Sequence, residues 1–322
     1  MAIKVIGTGM YVPSFKVSNQ KLESIVETTD EWITTRTGIH NRYIVTTENT
    51  VDLAYEAAHR AIKQSHIDSS DIGLIIVATF TPERLTPSTA CLVQARLGLN
   101  DQQIIAFDLN AACCGFVYAL SVAEQFLKTK TVKKALIIGA EVLSKIIDWN
   151  DRGTCVLFGD GSGAVVVEYE QDLENSFYLN SAGDEQDSLI TTQIPLNHPF
   201  IPSKVHPIYL QMNGQQVFKF AITAIKETIT KLLEQTNLSL DDISLIIPHQ
   251  ANKRIIDKVV KDLKVSSEKF FLNVSEYGNT SAASIPIALH DAIKKQRLKN
   301  GDKVMVIGFG GGLTWGGCII SI

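Results

Sequence analysis

The sequence predicts an α/β protein in which one structural unit is used twice. Two observations carry this: short β-rich runs alternate with stretches of helical period, and strand-turn-helix segments recur in the same order further along the chain. The 322 residues are 45% hydrophobic and 20% charged, with 21 Gly and 9 Pro, which excludes disordered, collagenous and disulfide-scaffold classes.

In order, strands are predicted at 3–7, 73–79, 103–109, 134–139, 164–168, 243–247, 269–274, 303–308 and 316–321. Helices are predicted at 51–65, 89–97, 113–128, 217–235, 252–263 and 281–296 from their amphipathic spacing. The alternation implies a mostly parallel sheet covered by helices. Residues 175–212 turn polar and irregular, with Pro195, Pro199, Pro202 and Pro207, and mark the one place for a boundary or a flap.

The repeat has two parts. SHIDSSDIGLIIVATF (65–80) parallels TNLSLDDISLIIPHQA (236–251), an offset of 171 that sets Asp71 against Asp242. The strand-turn-helix-strand text of 104–140 then matches 270–309 at offsets of 166 to 169. Agreement in order and spacing favours duplication over the generic likeness of any two such units. The division falls near 170, giving halves 1–170 and 171–322.

Thirty Lys and Arg against 34 Asp and Glu give a net charge of −4 with no basic block, so nucleic acid is not expected as a partner. The start, MAIKVIGTGMYVP, lacks a secretory leader pattern, and no apolar run approaches the ~18 residues of a membrane span. A cytoplasmic location without membrane attachment is the expectation. Five cysteines (91, 113, 114, 155 and 318) form an odd set without a CxxC pair, so neither a disulfide framework nor a metal site is expected.

Three polar residues each follow a strand and stand at or before a helix start: Cys113 after 103–109, His249 after 243–247 and Asn279 after 269–274. In parallel sheets the carboxyl ends of strands form the edge where ligands bind. The repeat makes Cys113 and Asn279 counterparts, so facing halves would bring them together with His249. A cysteine at a helix N-terminus has its thiolate stabilised, lowering a pKa of ~8.5 towards ~3.5–7.5. Each residue also has a plainer reading: AACCG as close helix packing, His249 as a hydrogen-bonded core histidine, Asn279 as a helix cap. GFGGG (308–312) lacks the spacing of a dinucleotide loop and precedes a strand, while FGDGSGA (158–164) reads as a structural turn.

These positions stand inside longer strings: TTDEWITTRTGIHNR (28–42), TPSTACLVQARLG (86–98), AACCGFVYALS (111–121), DWNDRGTCVLFGDGSGAVV (148–166), PHQANKRII (248–256), YGNTSAASIP (277–286) and GFGGGLTWG (308–316). Together they resemble β-ketoacyl-acyl-carrier-protein synthase III, the condensing enzyme that initiates bacterial type II fatty acid synthesis. The resemblance spans nearly the whole chain, 175–212 being the poorly matched part. It implies a thiolase-like fold, duplicated α/β halves in a five-layered αβαβα body, and a catalytic triad of Cys113, His249 and Asn279.

It further implies that an acyl-CoA primer acylates Cys113, that malonyl-carrier protein then loses CO₂ to give an enolate held by His249 and Asn279, and that the carbanion attacks the acyl-cysteine. The backbone N–H groups of Cys113 and Gly311 are the implied oxyanion donors. For the CoA primer the matching positions are Trp32, Arg36 and Arg152, with Gly214 and Asn252 along the pantetheine tunnel. Phe218 and Phe309 are the implied apolar walls near the sulfur. Lys219, Arg254 and Lys261 fall at the positions that dock the acidic carrier protein. No resident cofactor is implied, since acyl-CoA and malonyl-carrier protein are substrates. The family is a homodimer in which the strand around 103–109 pairs across the interface and the 81–87 loop reaches the neighbour's pocket.

Two departures stand out. Cys114 follows the nucleophile where family members more often have Ala or Ser, and Thr86 stands where acetyl-preferring members place Phe. The smaller Thr86 implies a longer acyl channel and primers beyond acetyl. Asn in GNTSAAS separates the chain from elongating synthases, thiolases and hydroxymethylglutaryl-CoA synthases. A same-fold acyltransferase of a secondary-metabolite pathway is the alternative. A papain-like hydrolase would not repeat an α/β unit, and a non-catalytic homologue would have a broken triad.

Overall fold

The computed structural model describes residues 2–170, 177–196, 199–200 and 206–322. The expected division at 170 abuts residues 171–176, which, like Pro202, lie outside the described residues. The first part of the chain runs β1 (Ala2–Tyr11), β2 (Phe15–Ser18), α1 (Asn19–Leu22), α2 (Asp30–Thr37), β3 (Asn41–Ile44), α3 (Thr50–Ser65), β4 (Ile72–Ala78), α4 (Thr89–Arg96), β5 (Ile105–Leu109), α5 (Gly115–Lys128), β6 (Lys134–Glu141), α6 (Arg152–Cys155) and β7 (Gly161–Glu170). It continues as β8 (Phe177–Ser181), β9 (Leu189–Thr191), β10 (Leu210–Met212), α7 (Gly214–Thr236), β11 (Leu245–Pro248), α8 (Lys253–Leu263), α9 (Val274–Tyr277), α10 (Ser284–Lys294), β12 (Lys303–Gly310) and β13 (Thr314–Ser321).

The main sheet has two leaves, β5-β4-β6-β7-β1 and β11-β12-β13-β8, joined where Lys4 pairs with Ser321. From its edge, the first leaf pairs parallel, parallel, antiparallel, antiparallel. The second does the same, starting from a parallel bridge between Phe270 and Ile246. The sheet is therefore mixed rather than mostly parallel. The reason is plain at β12 and β13, which only residues 311–313 connect, a link too short for a parallel crossover.

Strand side chains alternate between two dry faces, which is why these strands read as continuous apolar runs. Leu74, Ile76 and Ile137 of one leaf and Ile247, Val304 and Val306 of the other face a shared core around α5 and α10. Ile75, Val77 and Ile138 face α3 and α4 outside the first leaf, and Ile246, Met305 and Ile307 face α7 and α8 outside the second. Five layers, αβαβα, result. The middle helices carry apolar residues nearly all round, as burial on every side demands. The approach of α10 depends on a missing side chain: a Cβ on Gly163 would stand 2.6 Å from the Ile287 backbone nitrogen.

The expected strand at 269–274 is corrected. Only Phe270 bridges; the backbone N–H groups of Asn273 and Val274 donate instead to Gln250 Oε1, at 2.9 and 3.2 Å, and the chain turns into α9. A side chain replaces the ladder. The expected helices at 113 and 281 each begin with a 3-10 turn, Ala112–Cys114 and Ser281–Ala283. The segment expected to be irregular holds β8 and the antiparallel β9–β10 pair.

Candidate active site

Two matching turns build the site. After β5, Asn110 Oδ1 accepts the Ala112 N–H at 3.1 Å, Ala112 takes a left-handed φ of 44°, and Cys113 follows on the 3-10 turn leading into α5. Ahead of α10, Asn279 Oδ1 accepts the Ser281 N–H at 2.9 Å and Ser281 takes φ 50°. The turns are 169 residues apart, 112 against 281, as are β6 and β12 at 134 and 303. This corrects the expected pairing of Cys113 with Asn279: Asn279 corresponds to Asn110, and Cys113 corresponds to Ala282.

Cys113 is buried, 5% exposed, and its thiol is pushed up to about 12 by burial. The Ser281 hydroxyl and the residue's own N–H oppose the rise, and the Glu141 charge adds to it. The depressed thiol expected from a helix terminus is thus corrected. Gly310 packs so closely that a Cβ there would stand 2.7 Å from Cys113 Cβ, and removing an anion from water outweighs a helix-end dipole of ~0.3–1 kcal/mol.

His249 is held by its backbone N–H on Ile307 O at 2.7 Å, and its Nδ1 lies 2.6 Å from Ser284 Oγ. Ser284 Oγ also accepts the Gln250 N–H at 3.3 Å and keeps its own proton to give to Nδ1, the arrangement in which Nε2 is the protonated nitrogen. Burial lowers the imidazole to about 3, which keeps it neutral at physiological pH. The Phe309 ring packs edge-on against it at 5.1 Å. The plainer reading of Asn279 as a helix cap is corrected, since the N-cap positions of the 3-10 turn and of α10 are Thr280 and Ala283; Asn279 Oδ1 instead closes the turn onto the Ser281 N–H, and with that oxygen engaged the amide is oriented to present Nδ2 as a donor.

Cys113, His249 and Asn279 line one cavity of about 110 Å³ with Phe309. Gly214, Phe218 and Asn252 line its other end and also border an open groove of about 610 Å³ flanked by Lys219 and Arg254. Beyond Cys113 a cavity of about 320 Å³ is lined by Phe80, Leu189, Leu210 and Gly311. No hydrogen bond among the described residues uses the Gly311 N–H. The thiol therefore sits between an apolar chamber and a passage to a groove with two cations.

Two guanidiniums pack on the Trp32 ring, Arg36 at 4.5 Å and Arg152 at 4.6 Å from its centroid, and Asn252 Nδ2 donates to Arg36 O at 3.0 Å. The expected indole-guanidinium pair is present, and the second arginine packs on the same indole. Two expected residues stand apart. Thr86 is exposed and lines neither cavity of its own chain; Lys261, in the last turn of α8, lies outside the groove. Sequence reasoning missed Ser281, Ser284, Glu141 and the β9–β10 pair. Glu141 ends β6, so the strand-end rule that singled out Cys113 also pointed to it.

Two family profiles match the chain. One described as 3-oxoacyl-[acyl-carrier-protein (ACP)] synthase III matches residues 107–183, and one for its C terminal matches 233–322. A β-ketoacyl-[acyl-carrier-protein] synthase III from Clostridium perfringens is 51% identical, covering 99% of this chain and 99% of its own. A crystal structure of 3-oxoacyl-[acyl-carrier-protein] synthase III from Aquifex aeolicus is 44% identical and superimposes with a TM-score of 0.91 over 98% of this chain and 99% of that one. The priming β-ketosynthase of the R1128 polyketide pathway also reaches 0.91, at 31% identity over 100% of this chain and 96% of its own. With half its residues shared over full length and the thiolase-like layers in common, this chain belongs to the β-ketoacyl-[acyl-carrier-protein] synthase III family of condensing acyltransferases.

Proposed function

We propose that this chain initiates fatty acid synthesis by decarboxylative condensation of an acyl-CoA primer with malonyl-carrier protein, through an acyl-Cys113 intermediate. The observation that carries the reading is that Cys113, His249 and Asn279, from three separate turns, line one cavity. In the first step Cys113 sulfur bonds to the primer carbonyl and CoA leaves with the thiol proton. Malonyl-carrier protein then loses CO₂, and its thioester oxygen takes the negative charge. His249 Nε2–H and Asn279 Nδ2–H both stabilise that oxygen as the charge develops.

The carbanion next attacks the acyl-cysteine, with the oxyanion held by the N–H groups of Cys113 and Gly311. Collapse expels Cys113 as a thiolate, which takes up one proton, and releases 3-oxoacyl-carrier protein. Protein groups and substrates account for every electron pair, so this reading assigns no resident cofactor. The neutral imidazole supports a donor role over a base role.

The passage from groove to sulfur supports CoA and carrier-protein access on one face. There Trp32, Arg36 and Arg152 would hold the nucleotide, and Lys219 and Arg254 would meet the acidic partner. The edge strand β5, with Ile105 37% exposed, and Leu85, 83% exposed, support a homodimer in which the Thr86 loop reaches the neighbour. The apolar chamber beyond Cys113 supports primers longer than acetyl. The shared order of the two leaves supports thiolase-like halves at 1–170 and 171–322. Among the described residues no helix is long and apolar enough to cross a membrane, and a cytoplasmic location accompanies this reading.

The test is intact mass after incubation with an acyl-CoA panel, with product analysis once malonyl-carrier protein is added. An acyl increment on wild type that is missing from Cys113→Ala supports the reading, with four-to-eight-carbon primers preferred over acetyl. An increment retained by Cys113→Ala overturns the nucleophile.

A further inference from the structure

The end of β6 brings a carboxyl behind the nucleophile that the scheme above leaves unused. Glu141 is fully buried. Its Oε2 accepts from Thr81 Oγ1, from Thr79 Oγ1 at 3.1 Å and from the Phe80 N–H at 3.4 Å, while Oε1 lies 3.2 Å from Ser281 Oγ. Ser281 lines the apolar chamber together with Cys113, and hydrogen bonding from its hydroxyl is what most opposes the burial-driven rise of the Cys113 thiol. One hydroxyl proton thus faces two acceptors, a carboxylate and a thiolate, and serves one at a time. A protonated Glu141 donates to Ser281 Oγ and frees the hydroxyl proton for sulfur. An ionised Glu141 takes that proton and adds a like charge near the thiolate.

We propose that Glu141, acting through Ser281, is a positioning residue that sets when Cys113 exists as a thiolate. This rests on the reading of Cys113 as the nucleophile. Burial lifts the Glu141 carboxyl to about 7, against the opposing hydrogen bonds of Thr81, Thr79, Phe80 and Ser281, so the switch falls at working pH. The other titratable groups facing it are Cys113, Lys145 after β6, whose Nζ donates to Thr81 O at 2.6 Å, and Asp160 before β7, which is bonded to Ser144. The loop after β4 and the 281–283 turn add only hydroxyls and amides at this point. The sulfur is anionic twice per turnover, on attacking the primer and again when the C–S bond breaks and its electron pair returns to Cys113.

The experiment is iodoacetamide labelling of Cys113, followed by peptide mass, from pH 6 to 9 in wild type, Ser281→Ala and Glu141→Gln. The wild-type rate is expected to exceed that of Ser281→Ala roughly tenfold at pH 6, with the ratio falling towards one at pH 9 as Glu141 ionises. Glu141→Gln is expected to label faster than wild type at pH 9. A wild-type to Ser281→Ala ratio that stays constant with pH overturns the proposal, and this comparison stands without the Glu141 variant if that variant does not fold. A Cys113 that takes no label at any pH overturns the nucleophile reading itself.

Discussion

Residues 110–115 and 279–284 trace one backbone turn twice, and the two copies present different side chains. In both, an asparagine Oδ1 accepts the N–H two residues on, the next residue but one has positive φ, and a 3-10 turn runs into a central helix. The first copy presents a thiol at the fourth position. The second has Ala282 there, and its polar side chains are the Asn279 amide and the Thr280, Ser281 and Ser284 hydroxyls. On the function proposed above, the repeated turn is the scaffold, and side-chain divergence divides nucleophile from charge stabiliser.

The largest expected effect breaks the first copy. Cys113→Ala should reduce condensation by at least about 10³-fold, as loss of a covalent nucleophile does. Adding Ala282→Cys in that background should not restore acylation, because Ala282 lines neither cavity around the thiol. Intact mass with acyl-CoA checks both. The next contrast is between the two asparagines. Asn279→Ala should lower kcat by ~10²–10³ through loss of a transition-state donor. Asn110→Ala removes the equivalent turn hydrogen bond and should cost about 1 kcal/mol of stability, read by urea denaturation.

A smaller effect separates the groove from the turns. Arg254→Glu should raise the carrier-protein KM about tenfold at low salt and leave the rate of Cys113 acylation by acyl-CoA unchanged. Equal KM values for the variant and wild type would remove Arg254 from the docking face.

The smallest effect concerns pH and stability. Glu141 is raised from 4.5 to about 7, so the folded state binds its proton more tightly, and the associated stability is full below 4.5 and lost as pH rises through 7. That loss is on the order of 3 kcal/mol. Glu141→Gln should therefore gain on wild type between pH 5 and pH 8 in urea denaturation. His249, lowered to about 3, acts in the opposite window: the unfolded chain protonates first, so stability falls as pH drops below about 6.5.

Much of the site was legible because its residues stand at strand ends, where type and position alone narrow the chemistry. Cys113 and His249 were singled out that way, Asn279 was singled out on a strand that the structure replaces with α9, and the family strings supplied Trp32, Asn252 and Gly311 as candidates. What escaped depended on contacts distant in sequence. The strand expected at 269–274 failed because Gln250, some twenty residues earlier, takes the ladder's hydrogen bonds. The counterpart of Cys113 was misplaced because the repeat was aligned on apolar runs rather than on the Asn-led turns. The thiol's direction was misjudged because Gly310, in the other half of the chain, packs against Cys113 and leaves it buried. Glu141 was passed over because its partners come from two loops, 79–81 and 281.

The most direct test follows acyl-Cys113 through one turnover. Enzyme acylated by acyl-CoA and freed of excess primer is mixed with malonyl-carrier protein. Wild type should lose the acyl mass with equal yields of CO₂ and 3-oxoacyl-carrier protein, while His249→Ala and Asn279→Ala should retain it at least about a hundredfold longer. Loss of the acyl group at one rate in all three proteins would contradict the division of labour between the two turns.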